Sequence, residues 1–243
     1  MSADVVTQRI AETSPRLKAR MAGGLWLLYV SLAGLADFAR RGLVVNGDAA
    51  ATATNILAHE PLFRLGFAAD LVAIACYIAM VALFYALFKP VNRTGSLLAA
   101  FFGLVGCTIL AFAGLFRLAP LVVLGGPQHA SGFKVEQLQT LAYMLLKLYG
   151  QAYSISLVFF AFFSLVIGYL IFKSTFLPRI LGVLMAVAGM GGLIFLSPSF
   201  GAKYLPYIMA ADIGEILLIL WLLVFAVNEQ RWREQAGAAG IGA

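Results

Sequence analysis

Asp212 and Glu215 stand three residues apart inside the apolar run "AADIGEILLILWLLVF". On a helix that spacing puts both carboxylates on one face. A pair of acids in such surroundings can hold a proton or a cation. With one acid kept neutral, the pair can also hydrolyse a bond. The familiar intramembrane aspartyl enzymes take one aspartate from each of two helices, whereas this pair shares one. Binding is therefore the reading favoured over catalysis, and no catalytic residue is assigned.

Other ionisable residues collect near this pair once the chain is laid out by depth. Asp37, Asp70, Arg117 and Lys147 fall toward the same end of their apolar runs as Asp212 and Glu215, and Arg64 lies six residues before Asp70. A charge at such depth costs about 2.5–3.5 kcal/mol on insertion scales, so these groups are expected to face inward and pair. The expected ligand- or ion-binding set is Asp70, Asp212 and Glu215, charge-balanced by Arg64 and Arg117, with Asp37 at the rim. Local spacing also pairs Asp37 with Arg40 and Arg41, and Glu60 with Arg64. A structural salt-bridge network is the competing reading, favoured for Asp37, Arg40, Arg41 and Arg64, because long side chains near an interface reach back to water.

Several chemistries find no residues to carry them. The two histidines, His59 and His129, lie in loops and cannot bracket a haem between spans. Neither HExxH, GxSxG nor a phosphate-binding glycine loop is present, and no metal site or cofactor is expected. Cys76 and Cys107 each sit within an apolar run as small packing residues, which excludes a disulfide framework.

The elements that must position these residues are helices in a membrane. Of 243 residues, 62% are hydrophobic and 12% charged, and the mean hydropathy is +0.94. A soluble domain averages about 25% charged residues, so the expected fold is an all-α integral membrane protein. Six stretches of span length are read, at residues 21–38, 66–88, 96–116, 153–172, 180–196 and 204–227. Residues 1–20 read as a cytoplasmic polar tail without the apolar core of a signal peptide, and 229–243 as a cytoplasmic C-terminal tail. With both termini inside, the inner segments hold ten of the 17 basic residues, including those of the short turns "KPVNR" and "KSTFLPR". Two outer segments, "NGDAAATATNILAHEP" and "KVEQLQTLAYMLLKLYG", read as short interfacial helices. Asp48 is the N-cap of the first, and Gly150 the break after the second. A faint echo between the stretches around the two basic turns fits either a parallel repeat of hairpins or the shared demands of any inner turn.

"GDAAATATNILAHEPLFRLGFAADLV", "LFKPVNR", "GYLIFKSTFLPRILGVLMAVAG" and "IGEILLILWLLV" resemble the bacterial membrane family catalogued as domain of unknown function 4386. That resemblance implies a multi-pass helical membrane protein and carries no established activity. Its family-like motifs include Asp48, Arg64, Asp70, Pro178, Arg179 and Glu215. The reading is thus a six-span inner-membrane bundle of a bacterium, both termini cytoplasmic. It binds, and in one version moves, a small polar ligand or a proton in an outward-facing cavity. The alternatives are an accessory subunit of a larger membrane complex and a membrane-embedded enzyme acting on a lipid. Expected partners are membrane lipids, a small ligand and a membrane protein; the basic residues are too scattered between apolar spans for nucleic acid.

Overall fold

The computed structural model describes residues 14–125, 132–197 and 213–240, and among them all regular structure is helical. Eight α-helices follow in chain order: α1 (Pro15–Arg40), α2 (Ala49–Ala58), α3 (Glu60–Phe88), α4 (Arg93–Leu124), α5 (Val135–Lys173), α6 (Arg179–Gly192), α7 (Ile213–Val224) and α8 (Glu229–Ala238). The 3₁₀ turn Leu193–Leu196 extends α6. Five helices are long and apolar enough to cross a membrane, or six if the bent pair α7–α8 counts as one span.

Several helices begin where the sequence supplies a side-chain cap. Ser14 accepts from the Leu17 amide at 3.2 Å with Pro15 in the first turn, so α1 starts inside the stretch expected to be tail. Asp48 Oδ1 accepts from the Ala51 amide at 2.8 Å, as expected of the N-cap of α2. Asn92 Oδ1 accepts from the Gly95 amide at 2.8 Å, which starts α4 directly after the turn at Pro90.

The long helices close into a ring in which α1 packs on α3, α3 on α4, α4 on α5, α5 on α6, α6 on α7, and α7 back on α1. Small residues make the closest of these contacts. A Cβ added at Gly168 of α5 would lie 2.7 Å from the carbonyl oxygen of Gly182 on α6, and the converse holds at 2.7 Å. Those two backbones touch, as close-packed membrane helices do. Gly106 of α4 lies against the ring of Phe160, and Gly103 against Val81 of α3.

Aromatic rings fill the middle of the ring of helices. A continuous column runs from Tyr29 to Tyr77 (4.8 Å between centroids), Phe163 (5.8 Å), Phe84 (6.2 Å), Phe88 (5.7 Å) and Phe176 (5.9 Å). Its lower end lies where α3, α5 and α8 meet, here termed the basal end. There α8 turns 101° from α7 and docks through Trp232, whose Nε1 donates to the Leu87 carbonyl at 2.8 Å. The segment expected to be a C-terminal tail is thus in part an ordered cover. Its polar sequence, "EQRWREQAGA", suits a helix that lies across the bundle rather than through it.

One of the two expected interfacial helices is not a separate element. Val135–Lys173 is a single helix, and Gly150 does not interrupt it. A glycine in a helix costs only about 1 kcal/mol relative to alanine. Contacts with the α1–α2 loop and α2 hold this upper part in place: the Tyr143 hydroxyl accepts from the Gly47 amide at 2.8 Å, and Lys147 Nζ donates to Asn46 Oδ1 at 3.3 Å. At 1.5 Å per residue, 39 residues extend about 58 Å, well beyond a hydrocarbon core of about 30 Å. The first turns of α5 lie at the end opposite α8, here termed the distal end. Similarly, α4 runs on through Pro120 to Leu124, whereas the sequence placed its end near Phe116.

Candidate functional site

Three helices bring one acid and two bases together near the distal end. Asp70 on α3 accepts through Oδ2 from Arg40 Nη1 of α1 at 2.9 Å and also from Arg117 Nη1 of α4. Both arginine side chains are only 10% exposed, and Asp70 is 22% exposed. Arg40 also donates to Asp37 Oδ1 at 2.9 Å, but the Asp37 side chain is 77% exposed and its charge is largely solvated. The guanidinium of Arg117 lies 4.0 Å from the ring centre of Tyr149 on α5, a cation–π contact. Four elements, α1, α3, α4 and α5, thus converge on one charged collar.

The collar separates two spaces. Below it is a cavity of about 150 Å³ reaching down to Tyr29, Ile74 and Leu110, with Tyr149 and Tyr153 on one wall. Above it is a vestibule of about 540 Å³ that includes Arg41 and Lys147. Asp37, Arg40, Arg117 and Tyr149 line both. Tyr29 forms part of the cavity lining and is also the top of the aromatic column, so packed rings lie beneath the cavity toward the basal end.

Donors outnumber acceptors in this collar. Two guanidiniums carry about ten N–H donors, yet among the described residues they make three hydrogen bonds, all to Asp37 and Asp70. Among the described residues Arg40 Nε is buried with no acceptor. A buried donor without a partner costs about 1–3 kcal/mol, and more when the group is charged. Arg40 and Arg117 also line the cavity and the vestibule, where something other than the protein can supply acceptors for their remaining Nη donors.

The expected site residues divide into three groups. Asp37, Asp70 and Arg117 meet, as their common depth suggested. Arg64 does not join them: it is 58% exposed and pairs with Glu60 at 2.7 Å along the outside of α3. At that position the (i, i+4) neighbour and water satisfy it, and nothing draws it inward. Glu215 is near the top of α7, where its Oε1 accepts from the Ser164 hydroxyl of α5 at 3.0 Å. It is not part of the cavity lining. Asp212 lies outside the described residues.

Sequence reasoning missed Arg40 as a member. Its (i, i+3) spacing from Asp37 suggested a rim pair, and that bond exists, but the same guanidinium also reaches Asp70, thirty residues away. Arg41, expected beside Asp37, instead lies over the Phe38 ring at 5.9 Å. The only sequence signal for Arg40 was that it, unlike Arg41, lies on the helical face of Ala33, Ala36 and Asp37. Tyr149 and Tyr153 gave no signal beyond being aromatic. Among the described residues no three His, Cys, Asp or Glu side chains converge as a metal site would require.

A family model described as Domain of unknown function (DUF4386) matches residues 21–226. That range runs through α1 to the bend after α7, so it contains every residue of the collar and cavity and stops before α8. No curated protein and no solved structure matches the chain.

Proposed function

The chain belongs to this family, Domain of unknown function (DUF4386), and from that footing we propose that it is a ligand-binding protein of a bacterial inner membrane, non-enzymatic, with six spans and both termini in the cytoplasm. The basal turns and α8 carry Lys89, Arg93, Lys173, Arg179, Arg231 and Arg233, the charge bias of a cytoplasmic face. On this reading the sixth span enters at residue 204 and ends at the bend before α8, and the charged collar faces outward. The cavity beneath it binds a small polar ligand, with Asp70, Arg117, Arg40 and Asp37 as the contacting groups. Glu215 lies behind them on α7, a candidate for a proton-linked role.

One observation carries this reading: two nearly buried arginines share one carboxylate on the wall of a cavity, with donor groups left over. A network built only to join helices would use its donors. The packed aromatic column beneath the cavity favours binding over an open pore. Asp70 also joins α1 to α3 and α4, which favours a second reading, the accessory subunit in which the cluster only fastens helices together.

Both can be tested on the purified full-length protein. Thermal denaturation is followed against a panel of small anionic, cationic and neutral polar compounds, for wild type and Gly34→Leu. Gly34 lines the cavity and has no atom within 4 Å of a Cβ placed on it, so a leucine side chain starts in open space there. A compound that raises the midpoint of wild type and not of Gly34→Leu supports the binding reading. Should no class of compound do so, the accessory reading takes its place. Orientation is read separately by impermeant thiol labelling of Thr54→Cys and Gly237→Cys in a background lacking Cys76 and Cys107. Labelling of the first alone in intact cells is expected.

A further inference from the structure

Resting on the binding reading, we propose that the ligand is a small organic monoanion: a carboxylate on an apolar body of about the size of a benzene ring.

The sign of the charge follows from the collar. Arg40 and Arg117 are each only 10% exposed and share Asp70 between them, while Asp37 at 77% exposure keeps its own hydration. The buried part of the site therefore holds one more positive than negative charge. The surplus donors require acceptors, and a carboxylate is an acceptor only, with two oxygens able to take several bonds. Arginine presents its donors in a fork that fits that shape. An organic cation would instead find its one buried acid already held from two sides. The vestibule has the same sign: Arg40, Arg41, Arg117 and Lys147 line it against Asp37 alone. Like-signed walls of this kind concentrate a counter-charged ligand at the mouth of a cleft.

The apolar body follows from what lies below the collar. The cavity deepens between Ala33, Phe67, Ile74 and Leu110, with Tyr29 and Tyr153 among its walls. Among the described residues nothing charged lines it beneath Asp70. A free phosphate or sulfate would leave that space unfilled. A cavity of about 150 Å³ accepts a ligand near the size of benzene. The predicted pose puts the carboxylate at the unused Nη donors of Arg40 and Arg117, with the ring or branched chain pointing toward Tyr29.

Isothermal titration of the purified full-length protein with benzoate, benzyl alcohol, benzylamine and inorganic phosphate tests this directly. Benzoate is expected to bind about ten- to a hundredfold more tightly than benzyl alcohol, the range for a hydrogen bond between charged partners. Benzylamine and phosphate are expected to show no heat of binding. Gly34→Leu is expected to abolish the benzoate signal, and added salt to weaken it. Tighter binding of benzylamine or benzyl alcohol, lost in Gly34→Leu, overturns the anion and leaves the cavity reading standing. Phosphate binding without benzoate overturns the apolar body. Benzoate binding that survives Gly34→Leu places the site elsewhere and overturns the inference. Silence from all four compounds overturns it as well, and the wider panel above then decides whether the cavity binds anything. Should Gly34→Leu fail to fold, the order of the compounds on wild type decides alone.

Discussion

Replacing Asp70 by asparagine keeps the shape of the collar and removes the negative charge that its two guanidiniums share. In wild type Asp70 Oδ2 accepts from both Arg40 and Arg117. Asp70→Asn leaves two guanidiniums, each 10% exposed, with the solvated Asp37 as their remaining acid. Removing one partner of a buried pair costs about 3–5 kcal/mol. An amide oxygen still accepts one bond and water reaches the collar from the vestibule, so the lower end, about 3 kcal/mol, is expected. Arg117→Gln strands nothing, because Arg40 continues to hold Asp70, and should cost about 1–2 kcal/mol. With Arg117 already replaced, Asp70→Asn strands one guanidinium instead of two. The double variant should therefore be more stable than the sum of the singles by about 1–2 kcal/mol. The assay is equilibrium denaturation in mixed micelles, with thermal midpoints alongside; at about 2–4 °C per kcal/mol for a chain of this size, Asp70→Asn should fall by about 6–12 °C. An Asp70→Asn variant as stable as wild type, or single costs that simply add, would refute the shared-carboxylate argument. The acid would then be present at a cost for another reason, such as the ligand itself.

Three other outcomes follow from the packing. Gly168→Ala should destabilise by about 1–3 kcal/mol, because its Cβ would meet the Gly182 backbone and α5 and α6 must separate. Gly150→Ala should do the reverse and raise stability by about 0.5–1 kcal/mol, since Gly150 is inside a continuous helix with open space around it; a loss there would show that the helix needs a hinge at that point. Trp232→Phe removes the bond to the Leu87 carbonyl and should cost about 1 kcal/mol, visible as faster hydrogen exchange across α8 with little change elsewhere.

By itself the sequence determined the solvent, the helices and the depth of the charges. In hydrocarbon a backbone can satisfy itself only by closing its hydrogen bonds locally, so long apolar runs had to be helices wherever they went. Caps are equally local, which is why Asp48 was legible as one and why the turn at Pro90 was placed within a residue or two. Depth followed from counting along each run, and it grouped Asp37, Asp70 and Arg117 correctly. Tertiary structure decided which face each charge presented and to whom. Arg64 and Arg40 look alike in sequence, each an arginine one turn from an acid. Only the packing of α1 against α3 turns Arg40 toward Asp70, while Arg64 on its helix remains outside with Glu60. Gly150 likewise was an ambiguous mark, since a preference of about 1 kcal/mol gives way to the contacts of Tyr143 and Lys147 with the neighbouring loop. The docking of α8 beneath the bundle combines an indole reaching a carbonyl 145 residues away with bonds joining Gln235 and Arg231 to Thr175. Local propensity acts over one helical turn, and the collar, the cavity and the basal cover are each made of contacts between turns that the chain places far apart.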